Sequence, residues 1–210
     1  GKYGFLSNFD IVKSETQSVL FPKHKQKIEN SKVDETGIFT RRKTCKNIYE
    51  GIETIAATYG FSGVEPDTVM MGWARQTSNP IRFAKMIKTL NSLDLNIVLV
   101  DYDTRVGFGK YQLIDIWWRG AGNNGNFALS LIKFIQTSNL WRESTIRLMI
   151  VNPVNSEMEN IRKNVNEILE NLRIEAEIRI INNEIEKKSF YDIIKVESIN
   201  TDLTFVGIPP

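Results

Sequence analysis

Seven residues between an apolar run at 113–118 and a second one opening at Phe127 carry the sharpest chemical signal in the chain. They read Arg119-Gly120-Ala121-Gly122-Asn123-Asn124-Gly125, and the glycines have the spacing G-x-G-x-x-G. After a strand and ahead of a helix, such glycines let backbone N–H groups approach a pyrophosphate at the positive helix end. Arg119 adds a cation for a phosphate. The next strand, however, runs out at Val151-Asn152 without the acidic residue that would hold a ribose. Two readings stand: a structural turn, or a nucleotide loop built from Arg119, Gly120, Gly122 and Gly125.

Other reactive residue types are sparse. The single histidine, His24, lies in a Lys-rich polar stretch, and Cys45 is the single cysteine. That excludes an internal disulfide framework, a Cys-based zinc site and a Ser-His-Asp triad, and it fits a reducing compartment. Asp101, Asp103 and Asp115 stand in or near strand-like runs, where paired carboxylates can do acid–base work or bind Mg²⁺. Yet Asp115 lies mid-strand, on the face opposite Ile114 and Ile116, and the spacing makes no recognisable ligand set. Structural or solvated roles are expected for all three. Neither a catalytic set nor a metal site is expected. Trp117 and Trp118 are adjacent on one strand, so they face opposite sides of a sheet and are expected to pack under covering helices.

Charge and hydropathy limit the partners. The chain has 210 residues, with 27 Lys plus Arg against 25 Asp plus Glu, a net charge of +2. The densest basic stretches, 23–27 and 41–43, are short and read as solvated loops, so no nucleic-acid partner is expected. No run reaches the roughly 18–20 apolar residues that cross a bilayer, and no signal peptide is visible at the start. The chain opens on Gly1 without an initiator methionine, which suggests a piece of something longer.

The elements that must position these residues emerge from periodicity. Residues 1–35 read poorly, with short strands conceivable at 4–6 and 18–21 and a charged loop at 22–35. A strand is expected over 36–41, followed by an amphipathic helix marked by Ile48, Ile52, Ile55 and Tyr59. The run 67–73 (DTVMMGW) reads as a buried strand. Ser78-Asn79-Pro80 is a helix start, with a capping side chain and proline at the first turn, and Ile81, Ala84, Ile87 and Leu90 make that helix's buried face. Strands follow at 96–102 and 113–118; the link between them is too short for a helix, so they are expected to pair antiparallel. Phe127, Leu131, Phe134 and Ile135 define a helix, 145–151 a strand, and Ser156 with Glu159 has capping-box spacing ahead of another helix. Residues 176–181, 189–199 and 203–208 complete a strand, a helix and a strand.

Helices alternating with continuous apolar strands indicate an α/β fold whose mostly parallel sheet is flanked by helices. A faint repeat is present: Asp67-Thr-Val-Met-Met-Gly72 and Asp202-Leu-Thr-Phe-Val-Gly207 each follow a strand and a helix. Two related halves are therefore expected: residues 1–75, the first and incomplete one, and residues 76–210, the second.

The strand Asp67-Thr68-Val69-Met70-Met71-Gly72-Trp73 is similar to one in the cytosolic domain of cation–chloride cotransporters. So, in order, are Ile114-Asp115-Ile116-Trp117-Trp118, the glycine loop and its helix, Trp141, Ile146-Arg147-Leu148, and Leu172-Arg173-Ile174-Glu175-Ala176-Glu177-Ile178. The likeness runs from about residue 37 to 210 and resembles a prokaryotic relative. The loop departs from the animal pattern, which has an acidic residue before paired glycines. This resemblance implies a Rossmann-like fold with halves resembling universal stress proteins, and a parent membrane domain of the amino acid–polyamine–organocation type. It also implies a homodimer on the cytoplasmic face of the membrane that regulates transport without catalysis. ATP-binding universal stress proteins carry a glycine pattern that Gly72-Trp-Ala-Arg and Gly207-Ile-Pro-Pro do not match, so no cofactor is expected there; a nucleotide at residues 119–126 stays the alternative.

Overall fold

A computed structural model of the chain describes residues 6–14, 32–33, 38–60, 65–75, 77–119, 123–152 and 157–208. It divides into two compact units, Gly1–Asp101 and Tyr102–Pro210.

In the first unit, β1 (Ser7–Lys13) pairs in parallel with β3 (Phe39–Cys45), and β2 (Lys32–Val33) adds antiparallel to the other side of β3. Helix α1 (Ile48–Thr58) leads from β3 to β4 (Thr68–Gly72). Helix α2 (Pro80–Ser92) then leads to β5 (Asn96–Val100), which pairs in parallel with β4. Each helix starts where a side chain can satisfy a free backbone donor: Asn47 Oδ1 accepts from Tyr49 N, and Asn79 Oδ1 accepts from Arg82 N just ahead of Pro80. Met86, Leu90 and Leu95 form the buried centre, joined by Ile52 and Ala56 of α1 and by Val69 and Met71 of β4. Arg82 clamps α2 to α1 through two bonds to the Glu53 carboxylate, at 2.8 and 2.6 Å.

The second unit holds β6 (Leu113–Trp118), α3 (Asn123–Ile135), β7 (Thr145–Asn152), α4 (Met158–Leu172), β8 (Glu177–Asn182), α5 (Phe190–Glu197) and β9 (Leu203–Val206). The strands form one all-parallel sheet in the order β8-β7-β6-β9. Alternation along β6 and β7 sends Ile114, Ile116, Trp118, Ile146, Leu148 and Ile150 to the face covered by α3 and α4. Trp117 and Met149 point the other way and meet Ile193 of α5. Both faces are thus dressed, as the continuous apolar strands require.

The α/β class, the parallel strands and the opposed tryptophans agree with the sequence reading. One expectation is corrected. Strands β5 and β6 are not an antiparallel pair: β5 bonds to β4, and β6 lies between β7 and β9. The contacts divide at 101/102, and side chains of β4, α2 and β5 share one core; the related halves 1–75 and 76–210 stay an expectation. Helix α4 has Glu157 at its cap position; Ser156 of the expected capping box lies outside the described residues. Strand β1 was missed because SNFDIVK mixes charge into a half-buried alternation; of the strands expected at 4–6 and 18–21, all but Leu6 lies outside the described residues, as does His24.

Candidate functional site

Sheet order places the candidate ligand site. Strand β6 is followed by α3 on one face and leads to β7 on one side; β9, on its other side, is reached through α5 on the opposite face. The strand order reverses between β6 and β9, and in open parallel sheets ligands bind outside the carboxyl ends at such a switch point. Strand β6 ends and α3 begins there.

The described residues at this position are engaged with the protein itself. A Cβ on Gly125 would stand 2.5 Å from the Trp118 ring, so this glycine lets α3 lie directly on the indole. Asn124 Nδ2 donates to the Ile208 carbonyl at 3.2 Å, and a Cβ on Gly207 would come within 3.2 Å of Asn124. One side chain thus spans from the start of α3 to the end of β9. The Arg119 guanidinium lies over the Phe190 ring, 4.6 Å from its centroid, in a cation–π contact. Gly120 and Gly122 lie outside the described residues.

A second cluster lies on the α5 side of the sheet. Asp115, fully buried, is opposite Arg147 in the parallel register. Arg147 Nε and Nη2 donate to the two carboxylate oxygens at 2.7 and 2.8 Å. Ser198 and Thr201 hydroxyls each donate to Asp115 Oδ2 at 2.6 Å, and Trp117 Nε1 donates to Ser198 Oγ at 3.0 Å. Arg147 also reaches Thr201 Oγ1 and the Glu197 carbonyl. The bonded carboxylate raises the Arg147 pKa further. Both oxygens of the fully buried Asp115 carboxylate thus accept hydrogen bonds, Oδ1 from Arg147 and Oδ2 from Arg147, Ser198 and Thr201. The cluster locks the end of α5 and the approach to β9 onto β6 and β7.

A second carboxylate does similar work at the start of β9. Asp202 Oδ1 accepts from Lys110 N at 3.0 Å, and Oδ2 accepts from Gln112 N and Leu113 N at 2.8 and 3.0 Å. Burial pushes its pKa up, but the three backbone donors outweigh it and hold the group below the ordinary value. Asp101 pairs with Arg75, and Asp103 with Arg105. Each of the three sequence-flagged aspartates is paired with a different arginine. Among the described residues, no three His, Cys, Asp or Glu side chains are grouped to hold a metal ion.

No family model matches the chain. Among solved structures, it is similar to the cytoplasmic domain of a prokaryotic cation chloride cotransporter, with a TM-score of 0.57 and 16% identity. The match covers 70% of this chain and 58% of that one. The fold is that of a cation chloride cotransporter cytoplasmic domain. A universal stress protein from Archaeoglobus fulgidus DSM 4304 is also similar, at a TM-score of 0.48 and 14% identity, over 80% of this chain and 59% of that one. The chain therefore spans less than two thirds of the length of either. Among the described residues, no helix is long and apolar enough to cross a membrane.

Sequence reasoning overlooked Ser198 and Thr201, saw Asp202 only as the start of a repeat and Arg147 only as a basic residue in a strand. A usable signal existed for one pair. Asp115 and Arg147 are each a lone charge inside an apolar parallel strand, and neighbouring strands can register two such charges on one face.

Proposed function

We propose that this chain is the cytosolic regulatory and dimer-forming domain of a cation–chloride cotransporter-like membrane protein, and that it is non-catalytic. The observation that carries this reading is the shared fold over 70% of the chain, in which the motif Ile114–Trp118 forms the central strand β6. Each residue of that strand has a packing role: Ile114, Ile116 and Trp118 face α3 and α4, and Asp115 and Trp117 face α5. A strand so fully committed supports a module that transmits force or holds partners, with its polar groups used internally. In this reading the module sits at the cytoplasmic face of the membrane, joined to its own transmembrane domain and to a second copy.

Light scattering at tens of micromolar tests the dimer. The expected mass is about 48 kDa, twice the 24.1 kDa of one chain; a strict 24.1 kDa species overturns the dimer-forming role.

The switch point between β6 and β9 favours a second reading, a nucleotide-sensing module at residues 119–126. It requires a rise in melting temperature with millimolar ATP, ADP or NAD that is lost in Gly122→Val. No shift with any of them removes it.

A further inference from the structure

The register of the β1–β3 pair sorts the consecutive cations of β3. Arg41, Arg42 and Lys43 stand opposite Phe9, Asp10 and Ile11 of β1. Arg42 Nε donates to Asp10 Oδ2 at 2.7 Å. Alternation sends Arg41 and Lys43 to the other face, where Ile11 and Cys45 lie close against Gly51 of α1. The one carboxylate that β1 brings to this register therefore meets the middle cation and leaves its two neighbours.

Those two neighbours border a cleft beside the last turn of α1. Its walls also include Phe9, Ile55, Thr58 and Tyr59, and its volume is about 230 Å³. Arg42 reaches its rim with the guanidinium turned to Asp10. The Arg41 guanidinium carbon lies 5.7 Å from the centroid of the Tyr59 ring. That ring is held in turn by the edge-on Phe9 ring at 4.8 Å and by a 2.5 Å bond between its hydroxyl and Ser7 Oγ. The stack orients the guanidinium and uses none of its N–H donors. Among the described residues, neither Arg41 nor Lys43 has a hydrogen-bond or ion-pair partner, and no carboxylate lines the cleft. Residues two apart in a strand stand roughly 6.7 Å apart on one face. Two like charges at that spacing over partly apolar walls repel, and an anion between them relieves the repulsion.

We propose that this cleft binds a phosphate monoester, with the Arg41 fork on two of its oxygens and the Lys43 ammonium on a third. The charge argues for that class: a monoester carries about −1.5 to −2 near neutrality, which two cations match. The size argues the same way. The cleft is smaller than the roughly 300–1,000 Å³ sites that enclose drug-sized ligands, so it takes the phosphate and leaves the body of a larger molecule outside. The group occurs free in solution and as a lipid headgroup, and the experiment separates the two. The site lies wholly in the first unit and rests neither on the transporter reading nor on residues 119–126.

Inorganic phosphate is titrated into residues 1–210 at constant ionic strength and followed by calorimetry. A Kd of about 1 mM or tighter is expected. Arg41→Gln and Lys43→Gln, both at exposed positions, are each expected to weaken binding at least about fivefold. Arg42→Gln removes the same charge from the Asp10 pair and is expected to change it less than about twofold. Flotation with phosphatidylcholine vesicles, with and without phosphatidic acid, forms the second arm. Capture that needs phosphatidic acid and Arg41 assigns the phosphate to a lipid; phosphate binding without capture assigns it to a soluble ligand. No heat up to about 20 mM phosphate together with no capture overturns the proposal. So do equal losses in Arg41→Gln and Arg42→Gln, which reduce the effect to net charge. A lower melting temperature in Arg41→Gln with phosphate binding intact also overturns it, since Arg41 then serves only the carbonyl end of α1.

Discussion

At the residue scale, Gly109 leaves no room for a side chain beside Asp202. Gly109 has φ +58°, and a Cβ there would stand 2.1 Å from Asp202 Oδ1. Left-handed backbone and close approach both demand glycine. Gly109→Ala is expected to cost about 2 kcal/mol or more, read from urea unfolding. The buried pair gives a second expectation. Asp115→Ala strands the Arg147 guanidinium in a site open to little solvent, and a loss of about 3 kcal/mol is expected in the same assay. A loss below about 1 kcal/mol in either variant contradicts the roles assigned to these residues. The Gly109–Asp202 approach was not visible in the sequence, since it joins residues far apart along the chain, whereas the Asp115–Arg147 pair was signalled by two lone charges in apolar strands.

At the scale of elements, the loop before β6 is held to the start of β9 by three backbone donors on one carboxylate. Asp202 has its pKa lowered in the folded protein, so its contribution is fully present above the unfolded value of about 4 and is lost as pH falls through the lower folded value. The stability gap between the wild type and Asp202→Asn is therefore expected to be constant near neutrality and to shrink below about pH 4. A gap that widens in acid contradicts the assignment. Helix α3 rests on Trp118 through Gly125, and Gly125→Ala is expected to cost about 1–3 kcal/mol and to alter tryptophan fluorescence. Elements with one clear period were legible in advance: α1 by its Ile48–Tyr59 stripe, α2 by Asn79-Pro80, β6 and β7 by continuous apolar runs. Strand β1 was not, since its side chains are only half-buried. The pairing of β5 was misjudged because a short link excludes a crossover helix only when the two strands share a sheet.

At the scale of the whole molecule, the α/β class and the resemblance of Ile114–Trp118 were readable, and the fold agrees with both. The division at 101/102 was not readable, because the repeat signal at Asp67–Gly72 marks the end of one strand and says nothing of α2 and β5 beyond it. The candidate nucleotide loop was legible as a spacing, whereas Arg119 over Phe190 and Gly125 under Trp118 are properties of the folded chain. The central claim concerns what this domain is attached to. Its most direct measurement expresses the complete natural gene product with a tag after Pro210 and follows the tag through cell fractionation and protease protection. The account expects the tag in the membrane fraction, resistant to carbonate extraction and cleaved only when the cytosolic face is exposed. A tag recovered wholly in the soluble fraction, or cleaved from the outside of intact cells, contradicts it.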